Sequence, residues 1–281
     1  MENFLRHRNN LKKYRFISSF RRRFNLFIYS RYTKKFIKFE GRQMYLDEND
    51  SLHLSIRDYA PVYKEFVKKI VKSNDVVIDV GAHIGYYSLL FSELVGKNGH
   101  VYSFEPSSNC EILKKNIEIN NFENITAIQK AVSNESKSTK LFLTPSLTTT
   151  HICDTNSGNY DSIEIETIAL DDYFKNYDGK IDFLKCVSQG ADYAVIQGMM
   201  SIIKKMTDIK IMIAFAPSRL KEFGSSSIEF LQTLENEGFY LYAIRDLDNI
   251  ELTNSSDLLK RYSVEKNNGT HLFCSRKKII F

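Results

Sequence analysis

Residues 77–91, VIDVGAHIGYYSLLF, constrain the fold more than any other stretch of the chain. An apolar strand ends at Asp79 and Val80, Gly81 turns the backbone, and Gly85 lets the following helix pack close. A strand that is apolar at successive positions buries both faces, the habit of parallel strands held between two layers of helix. The rhythm then repeats. VVIDV (76–80) leads to a helix through about residue 94, VYSFE (101–105) to a helix over about 108–120, and ITAIQKAV (125–132) is a further strand. LFL and SIEIETI (141–143 and 162–168) alternate like a hairpin around a Ser/Thr-rich loop, 144–161. IDFLKCV, IKIMIAF, FYLYAI and HLFCS supply four more strands, with helices near 191–205 and 226–237. The last two, joined by a polar connection with no clear helix, are expected to pair antiparallel at one edge. Strands and helices alternating at this length indicate an α/β sheet covered on both faces.

Ahead of this series, FIKFEGRQMYL (36–46) reads as two short strands around Glu40-Gly41. Pro61 suits the first position of a helix whose Val62, Phe66, Ile70 and Val71 share a face, ending near Ser73-Asn74. No internal repeat or second core is visible, so residues 41–281 are read as one domain preceded by a segment, 1–40, of different character.

That segment holds most of the positive charge. The chain's formal charge is +5, yet residues 1–40 carry twelve Lys/Arg against Glu2 and Glu40, or +10, leaving the rest at −5. Leu11, Tyr14, Ile17, Phe20, Phe24 and Phe27 recur at steps of three or four, an apolar stripe with Arg21, Arg22 and Arg23 mostly off it. Such a basic amphipathic helix can pack on the main domain, lie on an anionic membrane surface, or, less readily, follow nucleic-acid phosphates. No apolar run approaches the roughly 18 residues of a membrane span, and the N-terminus lacks the pattern of a signal peptide. Cys110, Cys153, Cys186 and Cys274 are scattered without a CxxC pair, which suits free thiols in a reducing compartment and gives no metal site. A cytoplasmic protein, with peripheral membrane contact as an option, is expected.

The glycine spacing also constrains the ligand. Gly81-x-x-x-Gly85 departs from the GxGxxG that cradles a dinucleotide pyrophosphate. Glu105 ends the next strand, 24 residues after Gly81, where a carboxylate can take both hydroxyls of a ribose. Asp79 can accept from a cationic amine or orient the loop. A ribose, an adenine and an amino-acid tail describe S-adenosylmethionine better than a dinucleotide.

The residues VVIDVGAHIGYYSLLFSELVGKNGHVYSFEPSSNCEILKKNIEINN, ITAIQKAVSNES, IETIALDDYF and LKCVSQGADYAVIQGM, in that order, resemble the FkbM-family methyltransferases over about residues 60–216. The resemblance implies a class I methyltransferase (Rossmann-like) α/β fold, with a seven-stranded, mostly parallel sheet and one antiparallel edge strand. It implies S-adenosylmethionine as methyl donor and a hydroxyl on a sugar or natural product as acceptor. Carried over by position, Asp79, Gly81, Ala82, Gly85 and Glu105 would line the cofactor, Ala131 would sit beside the adenine, and His83 stands where the family usually has Asn. Of Tyr86 and Tyr87, one should face the cofactor tail, with Tyr86 taken for that role, and the other the core.

The acceptor side departs from the family. The exit LKCVSQGAD keeps Lys185, Gln189, Gly190, Ala191 and Asp192 of the usual pattern, but Val187 occupies the place of an Asp. In IKIMIAFAPS, Ala214 replaces a common Glu. Methyl transfer to a hydroxyl needs that hydroxyl oriented and relieved of its proton, the work of a carboxylate or a histidine. His151 and His271 are the remaining candidate bases, while Asp171 and Asp172 suit a helix cap better. The expectation is an intact cofactor half and an impaired acceptor half. The alternatives are a cofactor-binding relative without turnover, or a membrane- or glycan-associated binding module led by residues 1–40.

A membrane-surface role for residues 1–40 makes a definite prediction. Each basic residue near anionic lipid contributes on the order of 1 kcal/mol, screened by salt. Sedimentation with anionic vesicles should weaken with added salt and on replacing Arg21, Arg22 and Arg23, and neutral vesicles should pellet none of the protein.

Overall fold

A computed structural model describes residues 36–48, 50–55, 59–142, 151–152, 162–247 and 249–280. The basic amphipathic stretch and Cys153 therefore lie outside the described residues. A short antiparallel hairpin, β1 (Ile37–Phe39) and β2 (Arg42–Met44), turns at Glu40 and Gly41, which have φ of 48° and 84°. Helix α1 (Pro61–Ile70) follows with Pro61 in its first turn, where a missing N–H costs nothing. The alternating series then runs β3 (Val76–Val80), α2 (Tyr86–Val95), β4 (His100–Phe104), α3 (Asn109–Ile119) and β5 (Ile125–Ile128).

The chain next leaves the main sheet for a small one, built from β6 (Ala131–Val132), β7 (Ser138–Phe142), β8 (His151–Ile152) and β9 (Ser162–Ile168). The expected hairpin is there, with β7 antiparallel to β9. The stretch expected as one strand over 125–132 is divided, its last two residues pairing with β9 instead of β4. After α4 (Leu170–Tyr173) the main series resumes with β10 (Phe183–Cys186), α5 (Asp192–Gln197), α6 (Met200–Lys205), β11 (Lys210–Phe215), α7 (Pro217–Glu222) and α8 (Ser227–Asn236). It closes with β12 (Tyr240–Asp246), β13 (Asn249–Thr253), α9 (Ser255–Arg261) and β14 (Thr270–Ser275).

The main sheet has eight strands in the order β13-β12-β14-β11-β10-β3-β4-β5, which corrects the expected seven. The antiparallel strand β14 lies inside the sheet, between β11 and β12, and the antiparallel edge is β13. The connection read as featureless explains the difference. It folds into β13 and α9, the helix capped by Asn254, whose side-chain oxygen accepts from Asp257 N at 3.0 Å. That turn lets β14 return to the gap between its neighbours.

Both faces of the sheet are buried, as the apolar strand runs require. One face sets Ile78, Leu184, Ile211, Ile213, Leu241 and Leu272 against helical residues such as Val195, Ile203 and Phe230. The other sets Val77, Phe183, Met212, Tyr242 and Phe273 against Phe66 of α1 and Leu89 and Phe91 of α2. Among the described residues, no helix is long and apolar enough to cross a membrane. Cys110, Cys186 and Cys274 are free and buried.

Asp171 takes its capping role on a different helix from its own. Its carboxylate accepts from Ser201 N at 2.9 Å and Ile202 N at 3.0 Å, satisfying the first turn of α6. Removing a cap of this kind costs about 1–2 kcal/mol. Asp171→Ala should lower the urea midpoint accordingly, with the slope of the transition unchanged.

Candidate active site

The carboxyl ends of β3, β4 and β10 open into a cavity of about 690 Å³. Its floor is set by a buried ion pair. Register places Lys185 of β10 beside Asp79 of β3, and the ammonium lies 2.9 Å from the carboxylate, with side-chain exposures of 4% and 0%. The ammonium also donates to Val80 O at 3.3 Å and Gly81 O at 3.0 Å, so two backbone carbonyls join the carboxylate around it. Asp79 accepts from Ser88 Oγ at 2.7 Å, joining the strand end to the helix beyond the loop. The ring of Tyr87 lies 5.4 Å from the ammonium.

The glycine loop is held from both sides. Gly81 N and Ala82 N both donate to Phe104 O at 3.0 Å, tying the loop to the end of β4. A Cβ on Gly81 would stand 2.1 Å from Val187 O, and its φ is +73°, so both sterics and backbone conformation require glycine. A Cβ on Gly85 would meet Leu113 at 2.6 Å, the close helix contact that its position predicts.

Glu105 is buried yet borders the cavity. One carboxylate oxygen accepts from His83 N at 2.9 Å, and the other from Ser107 N at 3.0 Å and Ser107 Oγ at 2.6 Å. Gly81, Ala82, His83, Tyr86 and Ala131 line the same cavity, together with Val187 and His271. Asp79 and Gly85 stand behind the lining; the first is engaged by Lys185 and Ser88, the second by Leu113. Both Tyr86 and Tyr87 reach the cavity, which removes the division into one ligand-facing ring and one core ring. Tyr86 is the committed one, its hydroxyl donating to Tyr59 O at 2.8 Å.

His83 adopts φ 53° and shares a 3.2 Å hydrogen bond between Nε2 and Ser51 Oγ. Ser51 in turn donates to Asp47 at 2.8 Å. Burial pushes the His83 imidazole below its usual range, against the opposing pull of Glu105 and Asp47. This chain of contacts comes from a segment ahead of β3, and no local pattern announced it. Lys185 did leave a signal as part of the strand-exit motif, though its pairing with Asp79 is set by which strands are neighbours.

Asp192, the first acid after the strand exit, does not border the cavity. It is buried, accepting from Ser188 N and Gly190 N at 3.0 Å each, and so pins the loop that follows β10. His271 borders the cavity, its ring centroid 4.0 Å from that of Tyr63. The backbone of His151 lies in β8 and pairs with Phe142. Among the described residues, no group of three or more His, Cys, Asp or Glu could hold a metal.

Comparison with known families matches residues 79–241 to the methyltransferase FkbM domain. The chain belongs to the FkbM methyltransferase family. Solved structures similar to this FkbM-family chain include an rRNA methylase from Streptococcus thermophilus, at 12% identity and TM-score 0.46, covering 79% of this chain and 99% of that one. An O-methyltransferase from Bacillus cereus in complex with SAH is 13% identical with TM-score 0.46, over 79% of this chain and 84% of that one. A precorrin-6y C5,15-methyltransferase from Geobacter metallireducens is 12% identical with TM-score 0.42, over 76% and 87%. Among the curated proteins none matches.

The buried pair gives this site a measurable signature. Leaving one member of such a pair uncompensated typically costs about 3–5 kcal/mol, more than the net worth of the pair itself. Lys185→Met and Asp79→Leu should each destabilise the chain by about that much in urea unfolding. The double variant should recover part of the loss, giving a coupling energy between the two sites.

Proposed function

We propose that this chain is an S-adenosylmethionine-dependent O-methyltransferase acting on a hydroxyl of a small molecule, a sugar or natural product. The observation that carries the reading is Glu105, a carboxylate kept buried at the end of β4 and turned to a cavity behind a glycine loop. Three protein donors reach it, which leaves one acceptor site open, and the Ser107 hydroxyl is a rotor that can yield another. A ribose diol offers two donors of the right kind.

The rest of the lining fits the same ligand. Ala131, Pro106 and Ile112 give the Glu105 end a small, apolar wall suited to an adenine. Lys185 would repel a sulfonium if its charge were free, but Asp79 and two carbonyls hold it. The loop 81–85 borders the same cavity through Gly81, Ala82 and His83, with Gly81 kept side-chain-free by the Val187 carbonyl. When bound, the cofactor supplies an electrophilic methyl group. The protein's part is to hold it beside the acceptor, exclude water and accept a proton.

Loss of one buried polar contact to the ligand costs roughly 1–3 kcal/mol. Glu105→Gln should therefore weaken S-adenosylmethionine binding by about tenfold or more in calorimetry. Unchanged affinity would place the ribose elsewhere, and absence of binding by the parent chain would overturn the proposal.

A further inference from the structure

The two positions that lack acids share a row of the sheet with a histidine. Ala214 of β11 pairs directly with His271 of β14. Cys186 pairs with Ile213, so one more step along β10 brings Val187 level with Ala214. In-register partners on neighbouring strands project from the same face, and alternate residues of one strand do too. Ala214 and His271 therefore project on the side that carries Asp79, Lys185 and Met212, and Val187, just past the end of β10, borders the cavity. A glutamate at position 214 would stand directly across from His271; alanine puts no carboxylate there.

We propose, on the basis of the methyl-transfer reading above, that His271 is the proton acceptor for the hydroxyl being methylated, in place of the acids absent at 187 and 214. The hydroxyls of Tyr59, Tyr63 and Tyr87 complete the subsite. All four residues border the cavity. His83 and His100 are each engaged by a hydroxyl, from Ser51 and Thr126, whereas the imidazole ring of His271 has no hydrogen-bond partner among the described residues. The Tyr63 ring, tilted 45° at 4.0 Å, holds the imidazole in place.

The electrostatics suit the role. Burial, and then Lys185, lower the His271 pKa to about 4, so the ring is neutral and able to accept near pH 7. Tyr63 of α1 packs on the ring and Lys185 is the charge that acts on it, while Tyr59 and Tyr87 of α2 border the same cavity. Its strand neighbours Ala214 and Ile244 are uncharged. Burial raises the Tyr63 and Tyr87 phenols, which therefore stay protonated and act as hydrogen-bonding groups.

A weak base suffices for this reaction. As the acceptor oxygen bonds to the methyl carbon, the carbon–sulfur bond breaks and its electron pair stays on sulfur. The oxygen becomes an oxonium, a far stronger acid than the imidazolium, so its proton moves downhill to His271 and then to solvent.

The test uses the full chain and His271→Ala, His271→Gln and Ala214→Glu. Cofactor affinity is measured first by calorimetry, then methyl transfer from labelled cofactor to methyl glucoside, glycerol and 4-nitrophenol. Ring NMR of labelled histidine follows His271 in the cofactor-free protein. The expected result is unchanged cofactor affinity with at least a 100-fold loss of transfer in both His271 variants, within the range of general-base effects. The His271 ring should stay neutral down to about pH 5, and Ala214→Glu should raise its pKa by about a unit or more, carrying the acid limb of kcat with it. Transfer within threefold of the parent in His271→Gln would overturn the assignment. So would an acid limb that stays put while the ring pKa moves, or a parent that binds cofactor and methylates none of the three probes. A parent that binds no cofactor instead defeats the methyltransferase reading itself.

Discussion

The ammonium of Lys185 and the carboxylate of Asp79 meet with almost no access to solvent, and the geometry of the cavity hangs on that contact. Taking two charges out of water is expensive, and an apolar pair of similar volume is often as stable. What the ion pair adds is position. Lys185 reaches Val80 O and Gly81 O with its remaining protons, so a side chain from β10 sets the path of the backbone leaving β3. Ser88 adds the first turns of α2 to the same carboxylate. Strand end, loop and helix are thus fixed around one buried charge, and the loop then offers its backbone to whatever enters the cavity.

A second loop depends on the first. Gly81 lies against the carbonyl of Val187, so the exits of β3 and β10 can approach only while position 81 has no side chain. Asp192 holds the Val187 side of that contact by accepting two backbone N–H groups, which its burial would otherwise leave costly. Burial pushes its carboxyl up, and those backbone donors pull it back down. The acid nearest the strand exit is spent on structure, which explains why it takes no place in the cavity wall.

Much of this was legible in the residues. Gly81, Glu105 and the apolar strand runs announce a doubly covered sheet with a ligand loop at its carboxyl edge, because periodicity and turn chemistry are local. Lys185 was visible as part of a motif, but its partnership with Asp79 depends on which strands are neighbours. Tyr59, Tyr63, Ser51 and Asp47 reach the cavity from segments before the first main strand, and no spacing rule links them to it. The interior placement of β14 was hidden by a connection whose helix is short and capped by Asn254, a signal present in NSSD and passed over. The departures at Val187 and Ala214 were read as a loss. Strand register sets Ala214 directly across from a histidine, because which residue faces Ala214 is decided by a strand more than fifty residues away.

That register has a consequence for inheritance. The stretch that identifies the family, 79–241, contains Glu105, the glycine loop and Lys185, and stops before β14. Tyr59, Tyr63 and His271 fall outside it. The cavity wall built by the glycine loop, Glu105 and Lys185 is encoded where relatives can be recognised, and the wall built by Tyr59, Tyr63 and His271 is encoded in flanking segments. Change in those flanks can reshape one wall of the cavity while the wall carried by the family stretch passes on intact.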